Sequence, residues 1–374
     1  MITALEIENF KCFGKLRLPL GGLTLLTGFN AAGKSSAIQP LLLLAQGAKL
    51  DPGSTRYSLN GPLVRFGAVG DVLPAGSSLP TFKFTLSKDD GVASWTFSSR
   101  AGERHVDLAD AAVQGPGVRR NQARAALAAT FHELLANLSY ISAVREGVAD
   151  SYPLPDLDRN GVADVGIDGR FAAYWYNQFV DEEVPRARRH PGEPATSMRK
   201  QIDAWFSTLF PSAQINVQHV TQVAAESLQF RLSDIGDWRR PANVGYGFTY
   251  AFPILVALLA ANEQRQVVII DSPEAHLHPR AQSQMGKLLA SFASAGVQVI
   301  VETHSDHLLN GVRLAVREGV LDPQSLAIHF FTGAQPEAHG VVSPATDREG
   351  RLSDWPAGFF DQSEKDLAQL SGWN

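Results

Sequence analysis

Apolar and polar positions alternate with a period of two over residues 2–8 and 16–20, the pattern of half-buried strands. Residues 23–27 form a short, largely apolar run that ends at Gly28, and from 33 to 46 the apolar spacing turns helical. Pro40 falls inside that helix, where its missing N–H removes one backbone hydrogen bond and bends the segment. Residues 55–114 read as short strands punctuated by the turn pairs Asn60-Gly61 and Asp90-Gly91, which predicts an antiparallel sheet. Apolar residues three and four apart predict helices over 122–138, 171–181 and 198–209. Strands at 214–220 and 228–232 follow, then a helix at 249–261, a strand at 267–271, a helix from Pro279, a strand at 297–302 and a helix from Ser305. Strands alternating with helices imply a parallel sheet covered by helices. The expected fold class is therefore α/β, with an antiparallel β subdomain inside residues 1–114, a helical insertion at 115–210 and a C-terminal part at 211–374. No segment sustains the heptads of a coiled-coil arm, and no internal repeat is present.

Composition narrows the classes. Hydrophobic residues at 44% and charged ones at 19% exclude a disordered or low-complexity chain. A net charge of −5 means that any contact with nucleic acid must come from a local basic patch. The densest such stretch is Arg186, Arg188, Arg189, Arg199 and Lys200, which reads either as a solvated loop or as a nucleic-acid or partner contact. Cys12 is the single cysteine, so the chain builds no internal disulfide framework and no cysteine zinc site. The N-terminus lacks a basic start followed by an apolar core, and the longest apolar runs are too short to span a bilayer. A cytoplasmic protein without membrane contact is expected.

Chemistry concentrates first in Gly28-Phe29-Asn30-Ala31-Ala32-Gly33-Lys34-Ser35, a match to the phosphate-binding pattern G-x-x-x-x-G-K-S between an apolar strand and a helix. Its glycines let backbone N–H groups wrap phosphates, the helix N-terminus favours negative charge, Lys34 reaches the β and γ phosphates, and Ser35 ligates Mg²⁺. The second half of such a site is an apolar strand ending in a carboxylate, supplied by Val267-Val268-Ile269-Ile270-Asp271; Asp271 would hold Mg²⁺ through its water shell. Lys34 and Asp271 are 237 positions apart, so a large insertion divides one P-loop NTPase core. The nearest segment to a guanine-reading Asn-Lys-x-Asp is Ser87-Lys88-Asp89-Asp90, upstream of Asp271, so ATP is the expected nucleotide.

Four segments together resemble bacterial ABC-like, AAA-type ATPases of the RecF/SMC/OLD (overcoming lysogenization defect) group. They are Glu8-Asn9-Phe10-Lys11-Cys12-Phe13, the loop with Asn30 before Gly33-Lys34-Ser35-Ser36, Asp271-Ser272-Pro273-Glu274-Ala275-His276-Leu277-His278-Pro279, and Glu302-Thr303-His304-Ser305-Asp306-His307. The tail from Asp354 to Gln362 is similar to the C-terminal segment of a subfamily whose role is poorly defined and which often resembles anti-phage defence components. The resemblance implies an ABC/RecF-like head in which two ATPs are sandwiched between two copies, each site completed by a signature loop of the other copy. Asn243-Val244-Gly245-Tyr246-Gly247-Phe248-Thr249 is the candidate loop: Gly247 allows close backbone approach, and Thr249 can cap the following helix while pointing toward a γ-phosphate. Leu370-Ser371-Gly372-Trp373 resembles a signature superficially, but no helix follows it.

The same resemblance puts Gly28, Asn30, Gly33, Lys34, Ser35, Ser36 and Lys11 around the nucleotide and makes His304 the histidine that senses the γ-phosphate. Common ABC ATPases place the catalytic Glu directly after the Asp271 position, whereas this chain has Ser272 there and Glu274 two residues later. Glu274 is the candidate to orient or deprotonate the attacking water, its alternative being a carboxylate at a helix N-terminus. The expected activity is Mg-dependent ATP hydrolysis by a homodimer formed on ATP binding, coupled to DNA or to an effector, in phage defence or DNA repair. The rival is a low-turnover, nucleotide-gated sensor restraining a toxin or nuclease. A nuclease domain of the OLD type would need an acidic metal-binding cluster after His304, and the 70 residues that follow show none. Two metal readings rank lower: His276, His278, His304 and His307 as a cluster, and 156–167 as a calcium loop, whose twelfth position is Ile167 instead of Glu.

Overall fold

The computed structural model describes residues 1–50, 53–77, 79–88, 91–115, 121–156, 163–233, 235–261, 266–335 and 338–371. The N-terminal alternation becomes an antiparallel hairpin of β1 (Ile2–Phe10) and β2 (Phe13–Pro19), with Phe10 opposite Phe13 across the turn. The apolar run is β3 (Leu23–Gly28), which enters α1 (Lys34–Leu50) with Pro40 inside it. After β4 (Arg56–Ser58) come β5 (Thr81–Lys88), β6 (Gly91–Ser98) and β7 (His105–Gln114), and then α2 (Asn121–Ala136). The sheet runs β2-β1-β5-β6-β7-β4, so the expected antiparallel sheet forms and takes in the N-terminal hairpin. Its inner face is aromatic: the rings of Phe10, Phe82, Phe84 and Phe97 are fully buried, with centroids of neighbouring pairs 5.0–5.8 Å apart.

The middle of the chain forms its own compact unit, residues 136–303 with 307–321. It contains β8 (Ser139–Ile141), β9 (Tyr152–Pro153), α3 (Ala172–Phe179), α4 (Met198–Leu209), β10 (Gln214–Val220), β11 (Ala225–Arg231) and α5 (Tyr246–Leu259). Then follow β12 (Val267–Asp271), α6 (Pro279–Ser294), β13 (Gln298–Glu302) and α7 (Asp306–Arg317). β12 lies parallel between β8 and β13, with Asp271 opposite Glu302. Four residues of β12 are wholly buried, which is why it reads as a continuous apolar run. The helices α6 and α7 cross where Gly286 and Gly311 meet backbone; a Cβ on Gly311 would lie 2.0 Å from Ser283 O.

The chain then returns to the first unit, residues 1–135, 304–306 and 322–374, with β14 (Leu326–Gln335), β15 (Ala338–Val342) and α8 (Gln362–Leu370). β14 runs parallel to β3 from Leu326 opposite Leu23 to Phe331 opposite Gly28, and β15 is antiparallel to β14. His329 is buried in β14, its ring nitrogens 2.7 Å from Pro19 O and Ser343 Oγ, and burial lowers its pKa.

Candidate functional site

In the first unit the turn between β3 and α1 takes positive φ at Gly28, Ala31 (φ +59°) and Gly33, and glycine fills the two positions where a Cβ would clash. Gly28 has φ +129°, and a Cβ there would lie 2.2 Å from Phe331 O. Gly33 has φ +105° and abuts the Phe13 ring and Cys12 Sγ. The first hairpin therefore packs against the loop through Cys12 and Phe13. Lys34 is buried to 4% exposure, yet its Nζ donates to Phe29 O at 2.7 Å and Gly28 O at 3.1 Å, which holds the ammonium against the loop. Asn30, Ala31 and Ser35 are exposed and Ser36 is half-buried. A buried cation, an open loop and the N-terminus of a seventeen-residue helix fit a phosphorylated anion.

Lys11 stands in a left-handed turn, φ +51°, with its ammonium 4.5 Å from the centre of the Phe66 ring. Burial lowers its pKa, offset in part by Cys12 and Asp71. A cavity of about 520 Å³ beside the loop is lined by Gly28, Phe29, His304, Phe330, Phe360 and Lys365, among others. His304 and the loop thus share one cavity, and the tail forms its other wall. Phe29 stands 5.6 Å from Phe330, centroid to centroid, and a Cβ on Gly358 would lie 2.4 Å from the Phe29 ring.

In the second unit, β12 ends in a tight turn at Asp271–Leu277. Ser272 (φ +49°) and His276 (φ +62°) both adopt left-handed backbone without being glycine. Ser272, in the position where common ABC ATPases carry Glu, donates its hydroxyl to Asp271 Oδ1 at 2.8 Å. The turn closes through Ala275 N to Ser272 O at 3.1 Å and Leu277 N to Glu274 O at 3.0 Å. Glu274 lies in this turn, before α6, so its carboxylate is not one of that helix's first-turn acids.

The helix expected to start at Thr249 starts earlier. Helix α5 begins at Tyr246 with Gly245 as its N-cap, so Gly247 and Thr249 already lie within the first turns. Thr249 is 5% exposed and donates to Tyr246 O at 3.0 Å; it does not cap the helix. Gly247 is buried, and a Cβ there would sit 2.8 Å from His276 O. The exposed residues of the loop are Asn243, Gly245, where a Cβ would meet nothing within 4 Å, and Tyr246 at 53% exposure.

Other sequence candidates are used structurally. Arg188 is buried and donates to Leu259 O and Ala261 O at the end of α5, where a cation complements the helix dipole. Arg189 donates to Val184 O at 2.7 Å and Arg199 approaches Asp181, while Arg186 and Lys200 of the basic stretch are exposed. His278 caps α6, accepting from Arg280 N at 3.3 Å, and His276 lies against Tyr246 and Tyr250. Residues 157–162 of the calcium-loop candidate, Asp89-Asp90 and Gly372-Trp373 lie outside the described residues. Among the described residues, Glu103, His105 and Asp107 are close enough to share an ion, but Asp107 is engaged by Arg56 at 3.0 Å.

Sequence reasoning missed Arg145. It follows β8 in the segment expected to be helical, is 4% exposed, and donates from Nη2 to Asp271 O at 2.5 Å and Ser272 O at 3.1 Å. Its guanidinium stacks 5.2 Å from the centre of the Tyr250 ring on α5. Burial pulls its pKa down to about 10, against the opposing pull of Asp271, Tyr250, Glu274 and Tyr140, so it stays charged at neutral pH.

A glycine-dependent phosphate loop between a parallel strand and a helix, with a buried apolar strand ending in aspartate, defines a P-loop NTPase head of the ABC-like type. The chain belongs to the family described as "AAA domain, putative AbiEii toxin, Type IV TA system", whose model matches residues 23–310, and it falls in the OLD/SMC/RecF group of P-loop ATPases. Residues 321–370 match a second model, "Protein of unknown function (DUF3696)". The chain is 24% identical over 338 residues to the OLD nuclease of Thermus scotoductus, covering 82% of this chain and 59% of that protein. It is 22% identical over 346 residues to the Old nuclease of Escherichia phage P2, covering 84% and 58%. It therefore spans about three-fifths of the length of these curated relatives. Among solved structures, it is similar to an SMC head bound to the C-winged helix domain of ScpA, with TM-score 0.55, 14% identity and coverage of 93% and 98%. It is likewise similar to the Pyrococcus furiosus Smc head with an extended coiled coil bound to the C-terminal domain of ScpA, with TM-score 0.54, 13% identity and coverage of 99% of each chain. Those two likenesses carry the fold.

Proposed function

We propose that the protein binds MgATP at the Gly28–Ser35 loop and hydrolyses it as a dimer that forms around the nucleotide. The carrying observation is Lys34, a nearly buried ammonium held against the loop by the carbonyls of Gly28 and Phe29, where a triphosphate would meet it. Asn30, Ser35 and Ser36 would line the phosphates with Lys34, Ser35 and Asp271 would hold Mg²⁺, and Lys11 would approach from the first hairpin. The metal would supply charge neutralisation on the β and γ oxygens. Glu274 orients the attacking water and accepts its proton, and His304 senses the γ-phosphate. The composite site is completed by the signature loop of a second copy, Asn243, Gly245 and Tyr246 being its exposed residues and Gly247 and Thr249 lying in the helix turns behind them. ATP binding would join two heads and hydrolysis separate them, and the cycle would act on DNA or on an effector nuclease or toxin in the cytoplasm, in phage defence or DNA repair. The relatives' name, OLD nuclease, and the toxin in the family's description support that last step. Among the described residues no helix is long and apolar enough to cross a membrane.

A second reading is a slow, nucleotide-gated sensor, favoured by Ser272 in the place of the usual glutamate. Phosphate release under saturating MgATP, with and without duplex DNA, separates the two. Hydrolysis at a steady rate that Lys34→Ala abolishes supports the ATPase; binding without release supports the sensor, and neither binding nor release removes both.

A further inference from the structure

The turn that carries Glu274 is held from far away in the sequence. Two of its non-glycine residues, Ser272 and His276, occupy left-handed backbone, and such strained conformations persist only where the surroundings over-determine them. Arg145 supplies that constraint with two charge-assisted bonds to the carbonyls of Asp271 and Ser272. Its Nε and Nη1 are buried and have no hydrogen-bond partner among the described residues. A buried guanidinium left half-satisfied is expensive, and an apolar side chain would stabilise the fold more simply. Its surroundings are the groups a hydrolytic turn needs: Asp271 on β12, Glu274 in the turn, Tyr140 on β8 and Tyr250 on α5. Tyr250 also touches His276, which meets Tyr246 at the exposed start of α5, so one chain of contacts runs from Arg145 to the signature loop.

We propose that Arg145 is the positioning residue of the hydrolytic turn, locking the backbone at Asp271 and Ser272 so that Glu274 meets the attacking water. This rests on the reading of Glu274 as the hydrolytic carboxylate. Arg145→Ala and Arg145→Gln should lower kcat about 100-fold, leaving KM and affinity for a non-hydrolysable ATP analogue within about twofold. Arg145→Lys, which keeps the charge but loses the planar fork, should recover part of the rate. Millimolar guanidinium should partly restore Arg145→Ala, and methylammonium, which lacks the planar fork, should restore it less. A kcat near wild type in Arg145→Gln overturns the proposal. So does a joint loss of folding, analogue binding and kcat that guanidinium fails to repair, since that marks an arginine needed only for stability.

Turnover of Glu274→Gln separates the two claims. Wild-type rates in Glu274→Gln remove the hydrolytic reading, whereas a dead Glu274→Gln beside a normal Arg145→Gln removes only this inference. Amide exchange reads the lock without any turnover: in Arg145→Gln the N–H groups of Ala275 and Leu277 should exchange about 10–100-fold faster, with β12 unchanged. Unchanged exchange at both overturns it.

Discussion

The phosphate loop of the first unit and the Asp271–Leu277 turn of the second solve the same problem, a sharp reversal after a parallel strand, by opposite means. At the loop, glycine supplies the required backbone at Gly28 and Gly33, only Ala31 takes a left-handed φ without being glycine, and the determinants lie within eight consecutive residues. At the turn, Ser272 and His276 take left-handed conformations without being glycine, and the hold comes from Arg145, 126 and 127 positions away from the carbonyls it binds. Local chemistry makes a binding loop that any context would recognise. Tertiary chemistry makes a turn whose geometry exists only in the folded unit, and that is the half to which hydrolysis is assigned.

The largest effect that would sharpen this contrast is on turnover. Glu274→Gln keeps size and removes the base, so kcat should fall by about 100–1,000-fold while analogue affinity holds; steady-state kinetics beside calorimetry measures both, and unchanged kcat would move the base elsewhere. Next comes a pair of glycines two positions apart. Gly247→Asp drives a Cβ toward His276 O and should destabilise the second unit by about 2–4 kcal/mol in urea melts. Gly245→Asp, in open space, should leave stability within about 0.5 kcal/mol yet prevent nucleotide-dependent dimerisation in light scattering, because a carboxylate would face phosphate of like charge. Equal stability of the two variants would break the assignment of Gly247 to internal packing.

Smaller effects probe each region from outside. Gly358→Val strains a φ of +85° and pushes against the Phe29 ring, so it should weaken MgATP binding about 3–10-fold if tail and loop are coupled; identical affinity would uncouple them. The smallest change serves as a control remote in sequence from both. Burial raises the Asp203 carboxyl to about 6, against the opposing pull of its hydrogen bond from Ile215 N and of Lys200, Arg199 and Arg231. The folded state therefore holds this proton more tightly than the unfolded chain, whose Asp titrates near about 4. Its contribution is fully present below about pH 4 and is lost as pH rises through about 6. Asp203→Asn, which keeps an acceptor for Ile215 N, should stabilise by about 1–2 kcal/mol at about pH 8, and the gain should vanish near about pH 4. A constant gain at both pH values would contradict the buried proton.

What was legible in the chain follows the same divide. The loop, β12 and α4 could be read because periodicity and motif spacing are local signals. The start of α5 could not, because its N-cap is Gly245, which has no side-chain oxygen to announce it, and Thr249 offered the stronger capping signal four residues too late. β8 has only three residues and lies among helical spacings. β14 carries a buried polar residue, His329, whose hydrogen bonds to Pro19 and Ser343 are invisible before folding. Arg145 escaped for the most basic reason: its partners are main-chain carbonyls, which no side-chain pattern encodes.

The central claim is tested most directly by titrating a non-hydrolysable ATP analogue with Mg²⁺ into wild type, Glu274→Gln and Lys34→Ala and measuring heats of binding. The account predicts saturable binding of similar strength in the first two and at least a 100-fold loss in Lys34→Ala. Equal binding in all three, or none in the wild type, would contradict a nucleotide site at Gly28–Ser35.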